Sequence, residues 1–348
     1  MSSLENEVQI PIIRPLWLNI TEEPVLEVGQ LFTGEWVAGL ADGRIRVLDQ
    51  KNGQTLCELS VHKLGLLGFS LHSTRALVAS RGEDNQILIL EYANSALKIQ
   101  KKWKAKQWID TSLWVGEDLI FSSGKLLYVW KSNSDEPQLI ETWTHSISSL
   151  SITRNGEIGV VGYSRLSLYS WPELEVLKSY EWKGSLENLK FCNRNRFAVC
   201  SSNDMTLHVW DLKKDKDLAM RGFQHKILDL SFRFDGLYLA NASGPEVMIW
   251  DFMDPGPSGK KPQVLGPFER PIQKVIYQPK GKILATFGQD GVILFWRPDL
   301  FDDRPLAISG IRDQAVVSAE WSLDNSFVVT GLSSGYVACY ETPEVTKE

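Results

Sequence analysis

One pattern recurs along this chain: a short strand-like segment that ends in an aromatic residue or leucine, followed by a polar or charged residue. The eight end residues are Leu48, Leu90, Trp130, Tyr169, Trp210, Trp250, Trp296 and Tyr340. Their spacings are 42, 40, 39, 41, 40, 46 and 44 residues. Near-equal spacings of this length indicate a repeat architecture, so we expect a series of similar units.

Each period contains four strand-like segments separated by polar or glycine-containing turns. In the fifth period they are SLENLKFC (185–192), RFAVCSS (196–202), MTLHVWD (205–211) and DLAMRGF (217–223). Four short strands in every 40 or so residues favour an all-β, closed β-propeller built from four-stranded blades. The sequence contains no segment of useful length with helical periodicity.

The units begin near residues 24, 64, 107, 146, 186, 227, 272 and 315, so one propeller domain would span residues 1–348. Eight blades are preferred, and seven is the alternative if the weak first or fourth unit forms no blade. The last unit lacks a fourth strand of its own. The apolar segment over residues 8–20 can supply it, which would close the ring and remove exposed sheet edges.

The repeats resemble the WD40-repeat β-propeller family in divergent form. Trp-Asp occurs at 210–211 and 250–251, and Asp42, Asp204 and Asp290 match the aspartate of the turn before the third strand. The family's His-Ser/Thr-Asp-Trp hydrogen-bonded chain is incomplete in every unit. The matching structural positions are His62, His145, His225, Ser202, Asp204, Trp210, Trp250, Asp290 and Trp296.

Composition excludes several classes of protein. The net charge of -6, from 37 Lys and Arg against 43 Asp and Glu, disfavours broad binding to nucleic acid. No uncharged apolar run approaches a membrane span, and the four cysteines form no CxxC pair. The five histidines have no partners at metal-ligand spacing, and no nucleophile or nucleotide motif is present. We therefore expect no enzymatic activity, no cofactor and a cytoplasmic location, or a nuclear one in a eukaryote.

Two long connections follow the third strands of units six and seven, over residues 253–262 and 298–305. By the family geometry both lie on the same face of the disc. The first carries Lys260 and Lys261, and the second carries Leu300 and Phe301 among charged residues. One hypothesis is a partner-binding lobe that uses Lys260, Lys261, Leu300, Phe301, Asp302, Asp303 and Arg304. The other is that both are tolerated surface insertions, because loops accept added residues easily.

A lysine run extends from Leu97 to Gln107. Its alternation predicts Lys98, Lys102, Lys104 and Lys106 on one face of an outer strand, where lysines commonly protect a sheet edge. The alternative is a basic patch for an acidic partner or nucleic acid. Aromatic residues near the ends of successive fourth strands are expected to pack between blades rather than form a contact ring. They are Trp103, Trp143, Trp182, Phe223 and Phe268.

The function that these features favour is a protein–protein interaction scaffold or assembly factor. Its loop faces would hold partner proteins or peptides, as in a multi-subunit complex. One alternative is an enzyme or small-ligand binder that uses the central channel. Its candidate residues, on or near first strands, are Asp110, Glu187, Asp229 and Glu320. A second alternative is nucleic-acid binding through the lysine run.

Overall fold

The computed structural model describes residues 10–266, 268–300 and 304–345, and these residues contain strands and turns but no helix. Within these ranges thirty strands form seven hydrogen-bonded sheets, six with four strands and one with six. Every pairing between the strands is antiparallel, and sequence neighbours pair within each sheet. The chain is thus an all-β propeller whose blades have four strands.

The strands of the first three units are β2 (Val25–Gln30), β3 (Trp36–Leu40), β4 (Arg44–Leu48), β5 (Thr55–Ser60), β6 (Leu66–Leu71), β7 (Leu77–Gly82), β8 (Gln86–Ala93), β9 (Ala96–Lys104), β10 (Ile109–Val115), β11 (Asp118–Ser123), β12 (Leu126–Trp130) and β13 (Gln138–Thr142). The six-stranded sheet contains β14 (Ile147–Ile152), β15 (Ile158–Tyr169), β16 (Val176–Phe191), β17 (Phe197–Ser202), β18 (Thr206–Asp211) and β19 (Lys216–Met220).

The remaining sheets contain β20 (Ile227–Phe232), β21 (Tyr238–Ser243), β22 (Glu246–Asp251), β23 (Gln263–Leu265), β24 (Ile272–Tyr277), β25 (Leu284–Gly288), β26 (Val292–Trp296), β27 (Ala307–Gly310), β28 (Val316–Trp321), β29 (Phe327–Leu332), β30 (Tyr336–Glu341) and β1 (Trp17–Ile20). Within a unit we count the strands from first to fourth in chain order, so β2 is the first strand of unit one and β5 its fourth.

The six-stranded sheet corrects the preferred blade count. Counted as hydrogen-bonded sheets, the structure has seven blades rather than eight, because units four and five share continuous strands. The strand β15 pairs with β14 up to Gly162 and, from Tyr163 onward, with the first part of β16. The last part of β16 pairs with β17 instead. The weak fourth unit therefore has no sheet of its own, although it keeps its place in the repeat.

The first strands form the inner ring. In order they are β2, β6, β10, β14, the last part of β16, β20, β24 and β28, and β28 contacts β2 again. One apolar cluster fills each junction between consecutive units, so the core is distributed around the ring. At the closing junction Trp36 of unit one packs with Val329 of unit eight, and both are fully buried.

The strand β1 completes the last blade. It pairs with β30, with Trp17 opposite Cys339, and its observed range is shorter than the predicted segment of residues 8–20. Before it, Ile12 bridges to Ile308 of β27 in unit seven, while residues 8 and 9 lie outside the described residues. The Trp17 ring is anchored against Gly53: a Cβ there would lie 2.2 Å from the ring, and the φ of Gly53 is +68°.

Two loop faces follow from this strand order. We call "lower face" the one with the loops between first and second strands and between third and fourth strands. The "upper face" carries the turns between second and third strands and the connections from each fourth strand to the next unit. Because antiparallel strands alternate in direction, all loops of one kind lie on the same face.

Candidate functional site

The aromatic residues near the fourth strands bind one unit to the next. Trp103 of unit two packs on Tyr128 of unit three, with ring centroids 5.2 Å apart. Phe223 and Phe268 repeat this contact with Trp250 and Trp296, at 6.1 and 5.9 Å. These rings therefore lie in the junctions between units, as their spacing predicts, and large buried rings contribute strongly to such packing.

Unit two contains a polar network that the sequence comparison missed. His62 Nδ1 lies 3.0 Å from Asp84 Oδ1, and His62 Nε2 lies 3.0 Å from Ser80 Oγ. Leu90 stands within the third strand β8 where the family pattern has tryptophan, so the spacing identified the unit but not its network. The available signal was the position of Asp84, two residues before β8, which matches Asp204 two residues before β18.

Unit four replaces this network with different residues. The indole N–H of Trp143 donates to Tyr169 Oη at 3.0 Å, and the Tyr169 hydroxyl donates to Glu141. Arg165 binds Glu141 at 2.9 Å and stacks on Trp143, with its guanidinium carbon 3.6 Å from the ring centroid. His145 stays outside and makes an edge contact with Tyr163 at 4.8 Å.

The other repeat positions have mixed roles. Trp250 donates to Asn241 at 2.8 Å, and Trp296 donates to Thr286 at 3.1 Å. The turn aspartates Asp204 and Asp290 accept bonds within their own turns. The remaining positions are a buried Trp210, a buried Ser202 and a His225 whose carbonyl accepts from Ser243. The hydrogen bonds of these residues lie within single units and support the conformation of their strands and turns.

Each of the four channel candidates has a hydrogen-bond or ion-pair partner close by. Asp110 accepts from the backbone of Gly124 at 2.7 Å, and Asp229 accepts from the backbone of Val275 at 3.1 Å. Glu187 pairs with Lys226 at 3.0 Å. Burial raises the pKa of Glu320, against the opposing charge of Lys274. The Glu320 carboxylate also accepts from the backbone N–H of Trp321 at 3.2 Å, so all four are engaged with local partners.

Glu320 shares a cavity with a residue that sequence reasoning missed. A cavity of about 340 Å³ on the lower face is lined by Glu320, Glu27, Phe32 and Leu323, among others. Burial raises the pKa of Glu27, while Arg81 and Lys274 oppose this rise. Glu27 was not identifiable because strand alternation does not say which side faces the channel.

The described residues were searched for a metal-binding cluster and for a membrane-spanning helix. Among residues 10–266, 268–300 and 304–345, no group of three or more His, Cys, Asp or Glu side chains could hold a metal ion. No helix in these ranges is long and apolar enough to cross a membrane. All four cysteines are free thiols.

The two long connections lie on the lower face and are tied to the preceding unit. Arg196 binds Asp254 in the first connection at 2.7 Å, and Arg233 lies 3.6 Å from Asp299 in the second. Lys260 is held within its own loop by Asp251 at 2.9 Å. Both connections are therefore docked against neighbours through ion pairs.

The structure describes only some of the residues of the predicted partner-binding lobe. Leu300 is 40% exposed, Lys261 is exposed and Arg304 is half-buried. Phe301, Asp302 and Asp303 lie outside the described residues. The partner-binding hypothesis for this lobe stays a prediction.

An apolar arc lies on the same face. In units six, seven, eight and one, the second residue after the first strand is Phe234, Pro279, Leu323 and Phe32. Phe32 is 55% exposed, Leu323 47% and Phe234 37%. Units two to five have Ser73, Glu117, Arg154 and Asn193 at this position, so the arc covers one half of the ring. Exposed apolar patches of this kind are typical of interaction sites.

The lysine run forms the outer strand β9, as predicted, but its four lysines do not share a face. Lys98 lies opposite Glu91, whereas Lys102 lies opposite Leu88. Residues opposite each other share a face, and positions 88 and 91 of β8 point to opposite sides. A bulge opposite Ile89 and Leu90 shifts the register between these lysines. The predicted alternation is therefore wrong beyond the bulge, where Lys104 shares a face with Lys102; Lys106 follows the strand.

A closed ring of four-stranded antiparallel units with loops on two faces defines the chain as a β-propeller. Solved structures share this architecture. The computationally designed protein Ika8 aligns with a TM-score of 0.79 and 17% identity, over 94% of this chain and 99% of the other. Sqt1 from Saccharomyces cerevisiae aligns with a TM-score of 0.80 and 10% identity, over 95% and 99%. At these identities the likeness shows the fold alone.

Sequence comparison narrows the class. The model of the WD domain, G-beta repeat, matches residues 175–211. The serine-threonine kinase receptor-associated proteins of Rattus norvegicus and Homo sapiens are each 23% identical over 216 residues, or 60% of this chain. The match spans 61% of the length of these curated relatives. With the repeat and the propeller fold, these matches support the resemblance to the WD40-repeat β-propeller family.

Proposed function

We propose that this protein is a non-enzymatic scaffold that holds partner proteins on the lower face of its propeller. The apolar arc of Phe32, Phe234, Pro279 and Leu323 carries the proposal. These side chains come from four consecutive units, so one partner surface could contact them together. The clusters between units hold the loops on a continuous framework, which limits the ordering cost of binding.

The relatives support an interaction role. WD40 propellers generally bind other proteins, and the matched relatives are named for their association with a serine-threonine kinase receptor. The channel supports the non-enzymatic half of the proposal, since the carboxylates of Asp110, Asp229 and Glu187 are already engaged by local groups. We also propose a cytoplasmic location, or a nuclear one in a eukaryotic cell.

One observation favours a second candidate function. The lower-face cavity of about 340 Å³ contains both Glu27 and Glu320 beside apolar side chains. Such a cavity could hold a small cationic ligand, which would make the channel mouth a ligand site. A thermal shift with small amines that is lost in Glu320→Gln would support this candidate, and the absence of any shift would remove it.

The scaffold proposal is tested by replacing the arc. The variant Phe32→Ser/Phe234→Ser/Leu323→Ser removes its three exposed large side chains. A matched variant, Leu139→Ser/Val176→Ser/Leu177→Ser, removes apolar side chains that are 52%, 52% and 53% exposed on outer strands. Partners purified with the tagged wild-type protein from its native source are identified by mass spectrometry and compared quantitatively between variants.

We expect the arc variant to lose a defined set of partners that the outer-strand variant keeps. Circular dichroism and the thermal midpoint of each purified variant show whether it is folded. Retention of every partner by a folded arc variant would contradict the proposal, and so would equal loss from both folded variants.

A further inference from the structure

We propose that a groove on the upper face, across units three to five, binds an extended acidic peptide. This site lies on the opposite face from the apolar arc. It goes beyond the scaffold proposal, and either can fail without the other.

Two adjoining cavities form the groove. One of about 680 Å³ lies between the connection that leaves unit four and the turn at Ser164. The other, of about 410 Å³, lies between the connection that leaves unit two and the turn at Gly124. Both are lined by Thr144 and His145, so they meet at the connection between units three and four. Together they make a continuous depression long enough for an extended segment.

The groove is basic although the chain is acidic overall. Lys106 and Lys125 line the smaller cavity, and Lys183 and Arg165 line the larger one. The only acidic residue in either lining is Glu181. In the described part of the chain, no ion pair involves Lys106, Lys125 or Lys183. Because the protein carries a net charge of -6, this local excess of positive charge is a specific feature of the surface.

Aromatic side chains give the groove a second kind of contact. Tyr163 is 48% exposed in the larger cavity, and the edge contact with His145 orients its ring. Arg165 is held in place by its stacking on Trp143 and its ion pair with Glu141. Ordered cationic and aromatic groups lose little conformational freedom on binding. The groove can therefore bind carboxylates and an aromatic or apolar side chain in alternation.

The charge pattern of the groove favours a peptide over a nucleic acid. Glu181 interrupts the row of cations, and a phosphodiester backbone would have to place a charge near it at close intervals. A peptide can place a neutral residue there and its carboxylates beside Lys106, Lys125 and Lys183. We therefore assign an acidic peptide as the occupant.

The test uses the full chain and a fluorescein-labelled dodecapeptide of repeated Glu-Asp-Tyr triplets, with binding followed by fluorescence anisotropy. The groove variant is Lys106→Glu/Lys125→Glu/Lys183→Glu. Its control is Lys51→Glu/Lys98→Glu/Lys214→Glu, which makes the same change in net charge at exposed lysines outside the groove. A third variant, Tyr163→Ser, is measured with this peptide and with one in which Ala replaces Tyr.

We expect the groove variant to bind about tenfold more weakly or worse, because three exposed cations become repulsive charges. The control should change affinity by less than about twofold, and added salt should weaken wild-type binding. Tyr163→Ser should weaken binding of the Tyr peptide but not of the Ala peptide.

Three results would overturn the proposal. The first is no measurable binding of the peptide by the wild-type protein. The second is an equal loss of affinity in the groove variant and its charge-matched control. The third is tighter binding of a labelled oligouridylate of equal length, with the same dependence on the three lysines, which would assign the groove to nucleic acid.

Discussion

The ring centroid of His208 lies 3.8 Å from that of Trp182, and this contact joins unit five to the end of unit four. On its other side the His208 ring meets Trp210 at 4.2 Å. The imidazole is fully buried between the two indoles. This histidine occupies a third strand, outside the family's histidine position, and its environment determines how the fold responds to acid.

His208 makes the fold acid-sensitive. Burial lowers the pKa of His208 to about 4, although Asp217 at 3.3 Å favours the proton. The unfolded chain binds that proton near pH 6.5, so stability is lost as the pH falls from about 6.5 toward 4. The contribution lost between pH 7 and pH 5 is about 2 kcal/mol.

Replacing His208 with phenylalanine should remove this part of the pH dependence. The measurement is urea unfolding of the wild type and of His208→Phe at both pH values. An equal loss of unfolding free energy on acidification in the two proteins would contradict the prediction.

The His62–Asp84 network in unit two should contribute more to the unfolding free energy than the exposed Asp42–Arg44 pair in unit one. Asp84→Ala leaves the buried His62 without its Nδ1 partner, which should cost about 1–3 kcal/mol of unfolding free energy. Asp42→Ala is the control, because the Asp42–Arg44 pair is 2.6 Å long but partly exposed, and such pairs contribute about 0–1 kcal/mol. Urea denaturation of both variants measures the difference, and equal costs would refute the ranking.

Substitutions in the closing strand β1 should lower the unfolding free energy strongly only on its buried side. Trp17 is 7% exposed and packs into the junction between units eight and one, so Trp17→Ala should cost about 3–5 kcal/mol. Leu18, next to it on β1, is 49% exposed, and Leu18→Ala should cost less than about 0.5 kcal/mol.

Chemical denaturation gives both values. Amide hydrogen exchange of β30 reports whether the paired strand opens, and we expect faster exchange in Trp17→Ala alone. Similar losses in both variants would mean that β1 does not seal the junction as described.

Arg196 should control the mobility of the connection over residues 253–262. It binds Asp254 Oδ1 and the carbonyl of Pro255, each at 2.7 Å. Removing it in Arg196→Ala should raise tryptic cleavage after Lys260 about tenfold under native conditions, because local opening becomes easier; the bond after Lys261 precedes Pro262 and resists trypsin.

Arg194→Ala is the control, since Arg194 donates to the carbonyl of Asp235 instead. Mass spectrometry of the first cleavage products locates the cut. Unchanged cleavage at Lys260 in Arg196→Ala would show that other contacts hold the connection.

The repeat could be predicted because it depends on local composition. The period-two strands that contain Trp130, Trp210 and Trp250 appear over the ranges where the pattern indicates third strands. The blade count could not be predicted, because the turn at Ser164 lies inside one continuous β15 and no break separates the two halves of β16. Whether two neighbouring units share hydrogen bonds depends on tertiary geometry.

The side-chain surfaces were less predictable. The bulge in β9 has no glycine or proline to mark it, so Lys98 could not be separated from Lys102 and Lys104. The basic groove draws on segments from several units, and of its basic side chains only Lys106 had been predicted to belong to a basic patch. Surfaces built from distant segments require the register of every strand between them, which single-sequence alternation does not supply.

The pairing of β1 with β30 also sets an order of events during synthesis. The residues opposite Trp17–Ile20 are Tyr336–Cys339, more than three hundred positions later in the chain. At about 5–20 residues per second, the ribosome needs tens of seconds to produce them. Throughout that time β1 lacks the strand with which it pairs, so its backbone N–H and C=O groups are open to other strands. The nascent chain should therefore depend most on chaperones before its last unit emerges.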